Sequence, residues 1–524
     1  MNQRYLVRHL SPTSGISSKT NYCEPLTLPI MKLSLFGPLA SILLATAAAA
    51  TTTKPCCSIT AQDKSRVFVL SDITNEPDDS MSFVRLLTHA DMFTIEGIAA
   101  VTSWWLNATT APEALEAIVD TYETVRPNLQ SHTDGEFPPA SYLLPRIKSG
   151  PKTYGLSAID ALEAGGEISE GAKLLIGAVD ASTDRLYVQA WGGVNTLAEA
   201  LWYVRKTRHP RRLAEFVSRI SVYTISDQDN SGQWIRTSFP DLRYIVSVHG
   251  WNQYNQASWL GIATNTPEGG PDPSLVSDKW LAENIQIGPL GAEYPDVVYT
   301  MEGDTPTMLF NIQNGLNVPE HPEYGGWGGR YTPVTMGGQL FANAADAVVG
   351  ADGNTYSSAQ AAIWRWRDAY QNEFAVRMQW TLSAKGDGDA SNATHPPLVS
   401  VNGSCGNAPF EVEAKPGTSL TFDATGTWNQ DTEGTDGLEY KWIQYKDVTF
   451  SPSNVVGVWN VTIPAESGGM SAVVDLPPVE ESCTEVKNAG YSVCQVYHLV
   501  LEVKNTAGAI PMTRYKRVVI KITP

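Results

Sequence analysis

The chain has 524 residues, which is enough for two to four domains. A content of 42% hydrophobic and 18% charged residues excludes a wholly disordered, collagenous or membrane-embedded protein. The net charge of −18 argues against nucleic acid or an anionic membrane as the main partner, because both bind surfaces rich in Lys and Arg.

The amino-terminal part of the chain predicts export. Residues 1–30 are polar and without periodicity, and we interpret them as an unstructured extension or as sequence that precedes the true start. Residues 31–50 begin with Met31 and Lys32, continue as an apolar stretch and end in three alanines, which is typical of a secretory signal peptide. Residues 51–64 then form a linker. We therefore expect a secreted, extracellular protein that keeps no membrane segment after signal cleavage.

Secretion in turn predicts disulfides and glycans. Cys483 and Cys494 are close enough in sequence to pair across a short loop. The pairing of Cys56, Cys57 and Cys405 stays open, because the mature chain would have an odd number of cysteines. The acceptor pattern for N-glycosylation occurs at Asn107, Asn392, Asn402 and Asn460.

Between residues 65 and 395, strand-like apolar segments alternate with helix-like segments. The predicted strands are Arg66–Ser71, Ile95–Thr102, Leu186–Trp191, Arg219–Ser226 and, as a short candidate, Asp296–Tyr299. The predicted helices are Ser80–Ala90, Pro112–Val125 and Thr196–Lys206. This alternation predicts an α/β domain with a mostly parallel sheet flanked by helices. The irregular stretch Gly261–Pro295 is long enough to form part of a site.

After residue 395 the pattern changes to short strands separated by Gly, Asn, Asp and Pro. The candidate strands are Leu398–Val401, Ser419–Asp423, Tyr440–Tyr445, Ser471–Leu476, Tyr497–Val503 and Arg517–Ile522. Such a pattern predicts an all-β, immunoglobulin-like sandwich. The boundary falls in the turn-rich segment 386–397. We therefore assign residues 65–395 to the first domain and residues 396–524 to the sandwich.

An acidic loop directly follows the first predicted strand. It contains Asp72, Glu76, Asp78 and Asp79, and a helix begins directly after it. In open α/β sheets, ligands bind at the carboxyl ends of strands. A divalent cation would relieve the repulsion among four such close carboxylates, and one of them could then act as general base toward a metal-activated water. A polar loop whose last two aspartates favour the helix dipole explains the same residues equally well.

Two further segments place polar groups where strands end. In Gln189–Thr196, a strand runs through two glycines into a helix near Asn195. Residues 299–306 carry Glu302 and Asp304 after the short candidate strand. Because the carboxyl ends of parallel strands meet at one edge of a sheet, we expect these oxygens to converge with those of the acidic loop.

Six segments together resemble a known family. They are Asn75–Asp79, Trp191–Thr196, Ser226–Asp229, Glu302–Pro306, Gly325–Arg330 and Trp364–Arg367. Their combination is similar to the cellulose-binding, nucleoside-hydrolase-like family, which is related to the inosine-uridine-type nucleoside hydrolases and carries a C-terminal β-sandwich. The resemblance covers residues 65–524. It implies one Ca²⁺ at the sheet edge, with ligands Asp72, Asp79, Asn195 and Asp304.

The same resemblance gives catalytic roles to Asp72 and Asp78. In nucleoside hydrolases the cluster reads Asp-x-Asp-x-x-x-Asp-Asp, and its second Asp binds calcium and acts as general base. Alignment without gaps puts Thr74 at that position, whereas a two-residue insertion puts Asp72 there and leaves Glu76 as an added carboxylate. We favour Asp72, because Thr is a poor base. Residues 302–304 replace the family's nucleoside-recognition His motif, so metal binding is better supported than nucleoside specificity.

The residues expected to bind substrate are polar or aromatic and lie near predicted strand ends or in glycine-rich turns. They are Glu76, Asp78, Trp104, Asp227, Asp229, Glu302, Trp327 and Arg330. We expect a metal-dependent, glycosidase-type hydrolase that attacks an N- or O-glycosidic bond of a nucleoside or carbohydrate. Plant cell-wall polysaccharide is among the candidate substrates.

The alternative is a carbohydrate-binding protein without turnover. It would hold polysaccharide in the same cleft or on aromatic residues of the sandwich. Those aromatic residues are Tyr440, Trp442, Tyr445 and Trp459. The sequence leaves the oligomeric state open.

Overall fold

The computed structural model describes most of the chain from residue 64 onward. The described residues are 64–247, 249, 251–264, 268–335, 337–387, 393–449, 469–486 and 490–524. The predicted signal peptide, the linker up to residue 63, Cys56, Cys57, Asn392, Trp459 and Asn460 lie outside them. Among the described residues, no helix is long and apolar enough to cross a bilayer.

An eight-stranded sheet forms the centre of the first domain. Its strands are β1 (Ser65–Ser71), β2 (Phe93–Ala100), β3 (Ile147–Ser149), β4 (Leu186–Ala190), β5 (Ile220–Thr224), β6 (Arg243–Val246), β7 (Tyr331–Pro333) and β8 (Leu340–Asn343). Neighbouring strands are parallel except β7 and β8. The strand order is β3-β2-β1-β4-β5-β6-β8-β7. The chain therefore reverses its direction of progress across the sheet between β1 and β4, which is where open α/β sheets bind ligands.

Helices cover both faces of this sheet. They are α1 (Asp78–Thr88), α2 (Pro112–Ser131), α3 (Ala140–Leu143), α4 (Ser157–Glu163), α5 (Glu170–Asp180), α6 (Asn195–Thr207), α7 (Pro210–Ser218), α8 (Ser231–Ser238), α9 (Asp278–Asn284), α10 (Gly288–Gly291), α11 (Thr305–Leu309), α12 (Ala361–Trp364) and α13 (Arg367–Trp380). A hairpin of β9 (Asp346–Val349) and β10 (Thr355–Ser358) precedes α12.

The alternation of side chains along β1 explains the two helical layers. Val67 and Val69 pack in one core with α1, α2 and α13. Phe68 and Leu70 point to the other face and pack with α5 and α6. A strand that is buried on both faces requires a continuous apolar run, and β1 has one.

The C-terminal domain is all-β. Its strands are β11 (Ser400–Val401), β12 (Ser404–Cys405), β13 (Phe410–Ala414), β14 (Ser419–Asp423), β15 (Leu438–Gln444), β16 (Ser471–Asp475), β17 (Cys483–Val486), β18 (Tyr491–Cys494), β19 (Val496–Asn505) and β20 (Met512–Ile522), with the short helix α14 (Val479–Ser482) before β17. A four-stranded sheet, β13-β20-β19-β15, and the β14-β16 pair enclose one apolar core. Cys483 and Cys494 form the predicted disulfide between β17 and β18, and Cys405 is also disulfide-bonded.

The structure confirms the α/β sheet and the all-β C-terminal region, and it corrects two local predictions. The candidate strand Asp296–Tyr299 is wrong, because these residues are irregular and Val298 and Tyr299 are 64% and 76% exposed. The stretch Gly261–Pro295 is not wholly irregular, since it contains α9 and α10. Strand β13 was not predicted, because it is a half-exposed edge strand that carries alternating glutamates.

A buried ionic network joins the two domains. Glu373 of α13 is fully buried and accepts hydrogen bonds from Arg377 of the same helix (3.0 Å) and from Arg514 of β20 (2.5 and 2.9 Å). Arg377 also donates to Asp91 (2.7 Å). Burial alone would raise the pKa of Glu373, but Arg514 and Arg377 outweigh it and lower that pKa to about 2. Glu373 therefore stays charged at the domain interface.

Replacing this carboxylate should destabilise the protein strongly, because Glu373→Gln leaves two buried guanidinium groups without their shared counter-charge. We expect a loss of roughly 3–5 kcal/mol in the free energy of unfolding. Glu215→Gln removes only exposed pairs with Arg211 and Arg212, and it should change stability little because solvent screens such pairs. Urea unfolding of both variants measures the difference in the free energy of unfolding. Equal losses would contradict the role of Glu373 as the shared counter-charge.

Candidate active site

The loop after β1 carries one candidate base inward and the other outward. Asp72 is buried, and its backbone carbonyl accepts a hydrogen bond from the backbone of Asn75 (3.1 Å). Thr74 is exposed and has a φ of 79°, a left-handed conformation that β-branched residues rarely adopt. The structure therefore places Asp72, and not Thr74, among the other buried carboxylates.

Three carboxylates from two distant segments meet near Asp72. Asp78 and Asp79 form the start of α1, and Asp304 immediately precedes α11. One oxygen from each of these three residues lies within 4.8 Å of the others, and all three are buried. The hydroxyl of Ser71 donates a hydrogen bond to Asp79. Asp79 and Asp304, which are two of the predicted metal ligands, thus lie together, and Asp78 lies beside them.

Burial and mutual repulsion dominate the electrostatics of this cluster. Burial raises the pKa of Asp72 to about 6. Burial, followed by repulsion from Glu76 and Asp72, raises the pKa of Asp78 to about 7. The same two causes raise the pKa values of Asp79 and Asp304 well above the usual range. The neighbouring charges that act on Asp304 are all carboxylates, so the cluster retains protons unless a cation balances it.

Several buried oxygens at these strand ends have no hydrogen-bond partner within the described structure. Asp72 Oδ2, Asp304 Oδ2 and Asn195 Oδ1 are among them. The side-chain nitrogen of Asn195 donates to Thr102 Oγ1 (2.8 Å) and to the carbonyl of Thr153 (2.9 Å), which defines the other amide atom as the oxygen. Buried polar atoms normally have partners. Carboxylate and amide oxygens are the ligands that Ca²⁺ takes, so the residues present fit a calcium ion.

Two glycines after β4 allow this close approach. A Cβ atom at Gly192 would lie 2.6 Å from Asp72 Oδ1. One at Gly193 would lie 2.4 Å from the carbonyl oxygen of Thr102, to which the Gly193 N–H donates (3.0 Å). The carboxyl ends of β1 and β4 therefore meet at the reversal of strand order, and only glycine fits between them.

The structure revises the role of Glu302. Its side chain is fully buried and lies 2.6 Å from Arg85 Nε, while Tyr294 (2.8 Å) and Thr305 (2.9 Å) donate to its two oxygens. These partners occupy the carboxylate, so Glu302 does not face a sugar as predicted. It instead fixes the loop that carries Asp304, with a backbone φ of 53°.

Two further predicted substrate contacts lie in the domain interface. Trp327 is fully buried, and its indole donates to Tyr515 Oη of β20 (3.3 Å). Arg330 is buried and donates to Asp346 (2.6 Å). Both side chains therefore lie in internal contacts and not on an exposed surface, because glycine-rich turns that carry Trp and Arg serve interdomain packing as well as ligand binding.

The two acidic residues after β5 also form hydrogen bonds within the protein. Asp227 accepts two hydrogen bonds from Arg236 (2.7 Å each), so the structure does not leave it free for substrate. Asp229 is buried and accepts the backbone N–H groups of Asn195 (3.1 Å) and Ser231 (2.7 Å). Asp229 thus positions the first turns of α6 and α8.

Aromatic residues that the sequence analysis did not select border the cluster. Burial raises the pKa of Tyr254 to about 12, and the charges of Asp304, Glu76 and Asp78 add to this effect. Trp259 comes so close to the backbone that a Cβ at Gly303 would lie 3.0 Å from its ring. No local sequence pattern marks Tyr254 or Trp259, because they lie in short 3-10 helices and approach the cluster only through tertiary packing.

The predicted sugar-stacking residue lies on the surface of the first domain. Trp104 is 53% exposed, and the adjacent Trp105 is 56% exposed. Asn107, one predicted glycosylation site, is exposed in the same loop, and Asn402 is exposed in the sandwich. A separate cavity of about 600 Å³ lies between α4, α5 and α6. Its lining includes Trp202 and Lys206 but none of the clustered aspartates, so we assign it no part in the chemistry.

The comparisons with known proteins agree with this architecture. The family described as "Cellulose-binding Sde182, nucleoside hydrolase-like domain" matches residues 66–331. "Cellulose-binding protein Sde0182, C-terminal domain" matches residues 419–522. The chain belongs to this family. No curated protein matches the chain.

Solved structures include one relative along most of the chain. A nucleoside hydrolase-related hypothetical protein from Saccharophagus degradans, associated with carbohydrate metabolism, is 31% identical, with a TM-score of 0.70 over 88% of this chain and 100% of its own. The inosine-uridine preferring nucleoside hydrolase from Bacillus anthracis is 12% identical over 56% of this chain and 90% of its own, with a TM-score of 0.29. The plant nucleoside hydrolase PpNRh1 is 13% identical over 62% and 100%, with a TM-score of 0.31. The last two likenesses carry no argument about activity.

In this member of the cellulose-binding family, Gly192→Ala should disturb the junction of β1 and β4. The added methyl group would overlap Asp72, and we expect a loss of about 1–3 kcal/mol in the free energy of unfolding. Gly177→Ala is the matched control, because a Cβ there meets no atom within 4 Å in α5 and should leave stability unchanged or raise it by up to about 1 kcal/mol. Denaturant unfolding compares them, and an unaffected Gly192 variant would contradict the close approach.

The raised pKa values predict how stability depends on pH when metal is removed. The folded cluster binds protons more tightly than the unfolded chain, so its stabilising contribution is complete below about pH 4 and is lost as the pH rises through about 6 to 7. Asp78→Asn removes one of these carboxylates. Its melting temperature in chelator should therefore rise relative to wild type between about pH 5 and pH 8. A constant difference over that range would show that repulsion in the cluster is unimportant.

Proposed function

We propose that the protein is a metal-dependent, glycosidase-type hydrolase that attacks an N- or O-glycosidic bond at the carboxylate cluster. The unpaired buried oxygens of Asp72, Asp304 and Asn195 carry this proposal. A purely structural cluster would be expected to satisfy or expose these atoms. We assign the metal to Ca²⁺, held by the predicted set Asp72, Asp79, Asn195 and Asp304.

Each side chain has a defined task in this scheme. Bound calcium supplies positive charge that keeps the carboxylates ionised and makes a water molecule more acidic. Asp72 accepts the proton of the attacking water, since it is the buried carboxylate of the loop and Ser103 hydrogen-bonds to it. Asp78, at the start of α1, accepts hydrogen bonds from sugar hydroxyls. The surrounding negative charge stabilises the oxocarbenium-like transition state at the anomeric carbon.

Separate observations support the proposed compartment. The disulfide Cys483–Cys494 and the disulfide-bonded Cys405 favour an oxidising environment. Asn107 and Asn402 are exposed, as glycan acceptors must be. These features support our proposal of a secreted glycoprotein.

A carbohydrate-binding protein without turnover is the second candidate. The exposed indoles of Trp104 and Trp105 favour it, because surface tryptophans beside a polar cleft suit sugar faces. Both functions would use the same region of the first domain, so turnover is the property that separates them.

Turnover is tested by incubating the protein with nucleosides and wall oligosaccharides, with calcium or with chelator, and measuring released sugar. We expect release that depends on calcium. Asp304→Asn and Asp72→Asn should each lower the rate at least about 100-fold, since one removes a ligand and the other the base. Asp180→Asn, which removes only an exposed pair with Arg208, is the matched control. Absence of release from every substrate by calcium-loaded protein would favour the binding function.

A further inference from the structure

Two tryptophans form the tip of a tight loop after β2. The backbone N–H of Ser103 donates to the carbonyl of Leu106 (3.0 Å). The Ser103 hydroxyl oxygen accepts the backbone N–H groups of Trp105 (3.2 Å) and Leu106 (3.1 Å). The backbone N–H of Trp104 donates to the carbonyl of Gln228 (2.7 Å). These hydrogen bonds give the loop backbone a defined conformation, because the serine side chain closes the turn from within.

The tip of this loop is apolar and exposed. Trp104 is 53% exposed, and its ring contacts Tyr154 edge to face, with ring centroids 5.9 Å apart. Trp105, the next residue, is 56% exposed. Adjacent large side chains with this exposure are typical of a surface that another group covers. The covering group has to come from the chain itself or from a partner.

Asn107 places its side chain beside this tip. Its amide nitrogen lies 3.5 Å from the carbonyl oxygen of Trp104, which belongs to the peptide group that joins the two tryptophans. The glycan acceptor pattern Asn107-Ala108-Thr109 is exposed at all three positions. A glycan on this amide nitrogen would therefore begin next to the loop tip, two residues from Trp105.

The other described acceptor residue has a different environment. Asn402 is exposed, but its amide oxygen accepts the backbone N–H of Asp423 (2.7 Å), and its amide nitrogen donates to the carbonyl of Thr421 (3.3 Å). The side chain of Asn402 is thus held along β14. That of Asn107 instead turns back toward the peptide group between the exposed tryptophans, so its glycan is the covalently attached group best placed to cover them.

We propose that an N-linked glycan on Asn107 packs its first N-acetylglucosamine on the indole of Trp105, so that the chain's own glycan covers the apolar loop tip. The C–H face and the N-acetyl methyl group of this sugar suit an indole face, while its hydroxyls stay in water. Attachment joins Asn107 Nδ2 to the anomeric carbon of the sugar and replaces one N–H. The lipid pyrophosphate of the oligosaccharide donor is the leaving group and takes up the proton. This inference rests on the proposed secretion and is independent of the proposed hydrolysis.

Hydroxyl-radical footprinting of protein secreted from a eukaryotic host tests the cover directly. Tandem mass spectrometry reports the occupancy of Asn107 and the oxidation rate of each tryptophan. We expect an occupied Asn107, and we expect Thr109→Ala, which abolishes the acceptor pattern, to raise the oxidation rate of Trp105 about threefold. Trimming with an endoglycosidase that leaves one N-acetylglucosamine should keep Trp105 protected. Asn402→Gln is the matched control, since it removes an acceptor in the other domain and should not change the rate at Trp105.

Thermal unfolding gives a second measure of the same contact. Thr109→Ala should lower the melting temperature by about 1–3 °C in the wild-type background. In the Trp105→Ala background it should lower the melting temperature less, because the glycan then has no ring to cover. In the Tyr203→Ala background the loss should equal that of wild type, because this exposed aromatic lies near the far end of α6.

Each outcome bears on the glycan and not on the hydrolase. An unoccupied Asn107, or equal oxidation of Trp105 with and without the glycan, would overturn the proposal. Protection of Trp105 that appears only when free cellohexaose is added would also overturn it, because an external chain would then be the occupant. None of these measurements depends on sugar release, so the proposed hydrolysis can fail while this proposal stands.

Discussion

Repulsion among buried carboxylates is the constraint on which the rest of the site depends. Asp78, Asp79 and Asp304 share a space of less than 5 Å next to Asp72, and burial keeps water from screening them. Such an arrangement requires protons or a cation. The repelling carboxylates lie where the order of the strands reverses. Parallel strands leave a crevice at such a point, and α1 begins beside it.

Strain and buried ion pairs hold the carboxylates in this unfavourable arrangement. Thr74 and Glu302 both adopt a left-handed backbone, and they lie in the two loops that carry Asp72 and Asp304. Arg85 of α1 pairs with Glu302, so a buried ion pair joins the helix of Asp78 to the loop of Asp304. Behind them, α13 contacts β20 through Glu373. The sandwich therefore braces the helical layer that supports the site.

The sequence predicted structural features that depend on residues adjacent along the chain. It did not predict features that arise from contacts between distant segments. The acidic loop and the glycine turn after β4 could be found, because each follows a recognisable strand. Asp304 was selected through the family resemblance, since the strand predicted before it does not form. Arg85, Ser103 and Tyr254 could not be found, because their importance arises only when remote loops meet. The buried positions of Trp327 and Arg330 could not be predicted for a related reason. A buried interdomain contact and a ligand contact use the same residue types, and only their burial distinguishes them.

Two aromatic residues of the sandwich, Tyr445 and Trp442, make hydrogen bonds within the protein. Tyr445 is fully buried and donates to Asp346 (2.6 Å), so it belongs to the domain interface. The Trp442 indole donates to the carbonyl of Gly469 (2.8 Å) and packs toward the sandwich core. Neither side chain offers a flat exposed face, whereas Trp104 is 53% exposed. Under the proposed function, sugar binding is therefore better assigned to the first domain than to these two residues of the sandwich.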